Sequence, residues 1–218
     1  MIGEFMVIGL GRFGQSLVLS LARLGQSVMA VDRDQDKVQK VAEEIDAAVC
    51  ADATDESALR ELHPERMTCA VVAIGMGAVQ ASILATALLR QMGMPRIVAR
   101  AVDDLHARVL SAVGAHEIVN PEAEIGDRLA RRLAQPDVFS QIELGDEADL
   151  AEVAVPAAFV GRNLIELDVR RKYGVSVVAI RKGDGIRVNP DENVLLESAD
   201  ILVVIGAKQA IRRLAALA

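Results

Sequence analysis

Tryptophan is absent from this chain of 218 residues, and aromatic side chains make up only 2% of it. Ala, Val, Leu and Ile must therefore fill the core of a sequence that is 52% hydrophobic. Cysteine is limited to Cys50 and Cys69, and histidine to His63, His106 and His116. No CxxC pair or other zinc-ligand spacing is present. The two cysteines, each set among small apolar residues, read as buried reduced thiols rather than a disulfide. No apolar run is long enough to span a bilayer. Met1-Ile2-Gly3-Glu4 is too short and too acidic ahead of its apolar run for a signal peptide. The 24 basic residues are outnumbered by 31 acidic ones, for a net charge of −7, which excludes the positive footprint of a nucleic-acid binder. Ser/His/Asp order, HExxH and GxxxxGK[ST] are missing too, and no histidine follows residue 116. The usual carriers of hydrolytic or hydride-transfer chemistry are thus not there.

What is there begins at Phe5-Met6-Val7-Ile8, an apolar run that leads directly into Gly9-Leu10-Gly11-Arg12-Phe13-Gly14. Phe13, Leu17, Leu21 and Leu24 then recur at helical spacing. Strand, G-x-G-x-x-G and helix in that order form the context in which the motif binds a nucleotide. Gly9 permits the tight turn, Gly11 lets a phosphate approach bare backbone, and Gly14 lets the helix pack closely on its strand. The free N–H groups at the helix start attract an anion. Arg12 adds a full positive charge to a loop that otherwise works through backbone dipoles. Asp32, at the end of the next apolar run, stands where an acid accepts hydrogen bonds from ribose hydroxyls. Arg33 follows it as a group able to serve a 2′-phosphate, and Asp34 opposes that role.

Short apolar runs alternate with amphipathic stretches as far as Asn120. Strands are expected at Phe5–Ile8, Ser27–Asp32, Ala47–Ala51, Ala70–Ile74, Arg96–Ala101 and His116–Val119. Helices are expected over Arg12–Leu24, Gln35–Ile45, Glu56–Leu62, Ala78–Met92, Asp104–Val113 and Pro121–Ala134. This alternation implies an α/β fold, a Rossmann-like doubly wound parallel sheet covered on both faces. Asp52-Ala53-Thr54 and Ala73-Ile74-Gly75 lie at carboxyl ends of strands, where such sheets bind ligands. Asp52 to Asp55 reads equally as a polar turn with a helix cap. Arg100, at the same edge, either reaches a phosphate or forms a salt bridge. Asn120-Pro121-Glu122 reads as ordinary helix-start chemistry or as a cation site.

Beyond residue 134 the pattern changes to a small α+β domain. Gln135-Pro136-Asp137 breaks the preceding helix. Strands are expected at Val138–Leu144, Leu150–Val155, Val175–Ile180, Ile186–Val188 and Ile201–Ile205. Leu164–Tyr173 reads as one helix with Glu166/Arg170 and Asp168/Lys172 pairs, and Lys182-Gly183-Asp184-Gly185 as a hairpin turn. The domains are therefore residues 1–134 and 135–218. A mean hydropathy of +0.29 implies spare apolar surface and hence a homo-oligomer.

GLGRFG (9–14), VMAVDRD (28–34), ADATDE (51–56), VVAIG (71–75), VGAHEIVNPE (113–122) and VGRNLIELDVRRKYGVSVVAIRKGD (160–184) together resemble the bacterial RCK (regulator of potassium conductance) or TrkA family. Within it the chain is most similar to the KtrA/KtrC-type cytosolic subunits of Ktr potassium uptake systems, over nearly its whole length. The resemblance implies a non-enzymatic regulatory subunit that assembles into an octameric ring. That ring would dock on the cytoplasmic face of a membrane potassium-transporting subunit. ATP and ADP would compete for the Rossmann site, with NAD(H) as an alternative ligand. By the same resemblance Arg12 reaches the terminal phosphate, often across a dimer interface. Asp32 is then the ribose acid, Asp52 an adenine-side contact and Arg100 a phosphate-side base. Glu122 helps bind a divalent cation, Mg2+ or Ca2+, between subunits. Asp168 stands where relatives that bind cyclic di-AMP often carry Asn, and an acid is a poor neighbour for a phosphodiester. The remaining readings are an RCK subunit of a Trk system, a potassium channel or a cation/proton antiporter, and a small NAD-dependent oxidoreductase.

Overall fold

A computed structural model describes residues 3–134, 138–183 and 185–217. The chain divides into two compact units, Met1–Glu124 and Ile125–Ala218, with the division falling inside one helix. The first unit is built on β1 (Glu4–Ile8), β2 (Ser27–Asp32), β3 (Ala47–Cys50), β4 (Cys69–Val72), β5 (Ile97–Arg100) and β6 (Glu117–Val119). They form one sheet in the order β3-β2-β1-β4-β5-β6, and every pairing is parallel. The order reverses beside β1, so the strand ends of β1 and β4 flank a switch point where ligands bind in such sheets.

Alternation along β1 shows how the two faces are made. Met6 and Ile8 enter one apolar cluster and Val7 the other, all three at 2% exposure or less. On the Val7 face lie α1 (Arg12–Arg23) through Val18 and α2 (Gln35–Val41) through Val38 and Val41. On the other lie α3 (Glu56–Glu61) through Leu59, α4 (Val79–Gln91) through Ala85 and Leu89, and α5 (Asp104–Ala112) through Leu110. Helix α2 is shorter than its sequence pattern suggests. Glu43, Glu44 and Asp46 would place three carboxylates at the negative end of its dipole, and the chain leaves the helix before them.

Helix α6 (Pro121–Ala134) has no buried residue, and Ile125, Leu129 and Leu133 are all exposed along it. The second unit follows with β7 (Val138–Glu143), β8 (Ala148–Ala154), α7 (Leu164–Leu167), α8 (Val169–Tyr173), β9 (Val175–Lys182), β10 (Gly185–Val188), β11 (Ile201–Ala207) and α9 (Lys208–Ala215). Its antiparallel sheet runs β10-β9-β11-β8-β7. Leu202 sits between Val153 and Ile180 at the middle of that sheet, packed with Ile211 and Leu214 of α9.

Two expectations are corrected. Leu164–Tyr173 is two short helices, because Asp168 adopts a left-handed φ of 43° between them. That break removes the continuous helical spacing on which the Glu166/Arg170 and Asp168/Lys172 pairs depended, and Glu166 instead lies 3.8 Å from Arg162. Cys50 is exposed rather than buried, as the last residue of the edge strand β3, whereas Cys69 is buried and both thiols are free. The β9–β10 hairpin forms with Lys182 opposite Gly185 and Gly183 at φ 56°. Asp184 of its turn and the break at residues 135–137 lie outside the described residues.

His106 on α5 is 4% exposed, and its Nδ1 accepts from the Val102 N–H while its Nε2 is buried without a partner. Burial pushes its pKa below the ordinary imidazole value, against the opposing pull of Asp103. Its stability contribution is thus full above the unfolded pKa and is lost as pH falls through the folded one. Urea unfolding between about pH 7 and pH 5 should show wild type losing stability more steeply than His106→Gln. Parallel curves would contradict this.

Candidate functional site

The three loop glycines have separate structural reasons. Gly9 has φ +98°, and a Cβ there would meet the Ile74 backbone nitrogen at 2.9 Å. A Cβ on Gly14 would fall 1.9 Å from the Gly9 carbonyl oxygen, so α1 can approach its own loop only as glycine. Gly11 has nothing within 4 Å of its Cβ position, which leaves bare backbone open to an incoming group. Gly11 caps α1 with no side-chain hydrogen bond, and no acid occupies the first turn. By contrast α2, α3 and α5 are capped by the carboxylates of Asp34, Asp55 and Asp103 and carry an acid in the first turn. A helix start without its own anion leaves its N–H groups and its positive end uncompensated and open to another.

A cavity of about 530 Å³ opens at this edge of the sheet, a size suited to a nucleotide. Gly9, Gly11, Arg12, Phe13, Asp32, Arg33, Asp52, Ala53, Thr54, Ala73, Ile74, Gly75, Arg100 and Glu122 all line it. Gly14 does not; it lies buried beneath the loop. The structure thus brings together residues spread over 114 positions of sequence, from Gly9 to Glu122 counted inclusively.

Asp32 is 9% exposed, and both its oxygens already accept backbone N–H groups. Oδ2 takes the Leu10 N–H at 2.6 Å and Oδ1 takes that of Asp34 at 2.9 Å. Each oxygen keeps a further lone pair for a hydroxyl, while the bond to Leu10 ties the glycine loop to β2. Asp52 forms the polar turn, accepting the Thr54 N–H at 2.9 Å and its hydroxyl at 2.7 Å. Those bonds hold its carboxyl below the usual range. Asn120 caps α6 through the Ala123 N–H at 3.1 Å, with Pro121 in the first turn. Arg100 is salt-bridged to Glu122 and also faces the Phe13 ring, 5.8 Å from its centroid. Arg12 is exposed at the mouth of the loop.

Sequence reasoning passed over Lys37, which lines the cavity 3.8 Å from Asp32 and 3.4 Å from Asp34. Its position one helical turn after the Asp34 cap was the available signal. Met76, Ala78 and Ala81 also line the cavity, around the start of α4. That helix begins behind Ala78 with neither side-chain cap nor acid, and apolar lining residues carry no motif to find them by. No cluster of three or more His, Cys, Asp or Glu able to hold a metal occurs among the described residues.

Residues 5–121 match the TrkA-N domain and residues 150–218 the TrkA-C domain. The chain is 41% identical to Ktr system potassium uptake protein C of Bacillus subtilis over 210 residues, covering 96% of this chain and 95% of that protein. It is 37% identical to Ktr system potassium uptake protein A of the same organism, covering 96% and 94%. Among solved structures, the GsuK channel superposes with a TM-score of 0.69 at 19% identity, over 100% of this chain and 39% of that one. The GsuK channel bound to NAD gives 0.64 at 17%, again over 100% and 39%. The chain therefore spans well under half of those channel chains, and at such identities they establish the fold.

The glycine geometry makes a direct prediction. Gly14→Ala should lower the unfolding free energy by about 2 kcal/mol or more, because a rigid backbone oxygen is in the way. Gly11→Ala should stay within about 1 kcal/mol of wild type, the range of a changed helix cap. Chemical denaturation of both variants checks the contrast, and equal losses would refute it.

Proposed function

The chain belongs to the family of potassium-uptake proteins that join a TrkA-N to a TrkA-C domain, and on that premise we propose that it is a non-enzymatic regulatory subunit of a membrane potassium transporter. It binds ATP or ADP in the cavity at the sheet edge and gates its partner by a change of ring shape. The observation that carries this is the pairing of an uncapped α1 start with two arginines, Arg12 and Arg100, around one cavity of nucleotide size. Gly11 offers backbone to the phosphates, Asp32 has lone pairs for the ribose, and the Asp52–Thr54 turn borders the base. Among the described residues no helix is long and apolar enough to cross a membrane, so ion passage is left to a partner.

The switch works by differential affinity, since a ligand shifts a two-state ring only if it binds the two shapes unequally. Arg12, exposed on the loop, contacts the terminal phosphate of a nucleotide held by a neighbouring copy. ADP lacks that phosphate, and so ATP and ADP favour different ring shapes. The exposed Ile125, Leu129 and Leu133 stripe on α6 supports assembly of copies, with an octamer as the expected ring. The subunit then sits on the cytoplasmic face of the membrane through its transporter, and the functional lobes are residues 1–134 and 135–218. Glu122 adds an oxygen ligand for Mg2+ or Ca2+ between copies. NAD(H) is the second reading, favoured by Asp32 at the end of β2 and by the GsuK channel's binding of NAD.

Thermal shift with ATP, ADP, NAD+, NADH and cyclic di-AMP, each with and without Mg2+, tests the ligand. A nucleotide at about 100 times its Kd should stabilise the protein by about 2.7 kcal/mol. Equal shifts for ATP and ADP would count against the switch. In Arg12→Ala the preference for ATP over ADP should fall about tenfold, the worth of a charge-assisted hydrogen bond. An undiminished preference would remove Arg12 from the role.

A further inference from the structure

Resting on the nucleotide reading, we infer that Glu122 is a built-in competitor of the nucleotide: its carboxylate and a phosphate are alternative partners for one N–H group of Arg100. The guanidinium is closely held by its surroundings. Nη1 lies only 2.7 Å from where a Cβ on Gly75 would be, so it lies flat against that backbone. Nε is buried and has no hydrogen-bond partner. The Phe13 ring stands 5.8 Å away. Nη2 donates one of its two N–H groups to Glu122 Oε1.

The two partners differ in freedom. The Arg100 side chain is 11% exposed and that of Glu122 is 60% exposed. Arg100 is therefore the fixed member and Glu122 the one that leaves. A buried donor without a partner, such as the Arg100 Nε, is costly and calls for a reason. Carboxylate and phosphate oxygens suit the same guanidinium edge, and both Arg100 and Glu122 line the cavity. A phosphate that takes the N–H now directed at Glu122 displaces that carboxylate. The carboxylate it displaces belongs to the first turn of α6, the helix within which the chain passes from one unit to the other. The exchange has two consequences. Phosphate affinity is lowered by the fraction of time that Arg100 is already paired, and phosphate arrival is registered at α6 without any metal. This role is separate from cation binding, because it operates when no cation is present.

Calorimetric titration of ADP and of adenosine in excess chelator tests the inference with the full chain. The variants are Glu122→Gln and Glu124→Gln, which remove the same charge from neighbouring positions of α6. Glu122→Gln should bind ADP about three- to fivefold more tightly than wild type, the scale of a released ion pair. Adenosine affinity should be unchanged, and Glu124→Gln should match wild type for both ligands. An ADP affinity in Glu122→Gln that is equal to or weaker than wild type would overturn the competition and leave the nucleotide site standing. An equal gain in Glu124→Gln would overturn it as well, since general charge would then explain the effect. Absence of ADP binding in all three proteins would overturn both readings.

Discussion

The hydrogen bond from the Leu10 N–H to the Asp32 carboxylate joins the glycine loop to the end of β2, and the ligand edge of the sheet is organised around it. A loop of three glycines has little reason of its own to keep one shape, because glycine loses more freedom on ordering than any other residue. The carboxylate is 9% exposed, so the bond is sheltered from water and is charge-assisted. Behind it, Gly14 meets the Gly9 carbonyl so closely that the loop has no slack. Loop, helix start and β2 terminus are thereby held as one rigid surface. The same acid that ends β2 also holds the glycine loop in place.

Around that surface the charges are arranged in opposition. Helices α2, α3 and α5 bring their own carboxylates to their starts, and these are spent on capping. Helices α1 and α4 bring none, and both open on the cavity. Arg12 stands exposed, and Arg100 is largely covered and donates from Nη2 to Glu122. The cavity thus meets two uncapped helix starts and two arginines. Lys37, within 3.8 Å of Asp32 and 3.4 Å of Asp34, adds charge beside the end of β2.

Much of this was legible in the residues. The strands of the parallel sheet, the helix starts and the glycine roles follow from spacing and steric rules acting within a few residues. The failures have local causes of a different kind. The pattern over 164–173 is helical in its apolar spacing, yet Asp168 takes a left-handed turn that spacing does not reveal. Cys50 sits in an apolar run, but on an edge strand, where apolar neighbours in sequence do not enforce burial. Lys37 had only its place after the Asp34 cap to mark it, and the alanines at the start of α4 had no motif, because a lining residue is defined by where other elements place it.

The sequence alone determined that a glycine loop would meet a helix start and that an acid would end β2. Each of these depends on interactions within one strand, turn or helix. Only the tertiary structure decided how the charges divide. Asp32 lies 22 residues from Leu10, and Glu122 lies 22 from Arg100. Whether such groups touch depends on how successive crossovers bring strand ends to one edge. Arg100 could be read from its position as a phosphate ligand or as half of a salt bridge; in the fold it stands beside Gly75 and Phe13 and donates from Nη2 to Glu122. The physical reason is range: steric and periodic rules act along the chain, while pairing of charges across a sheet edge is set by the fold as a whole.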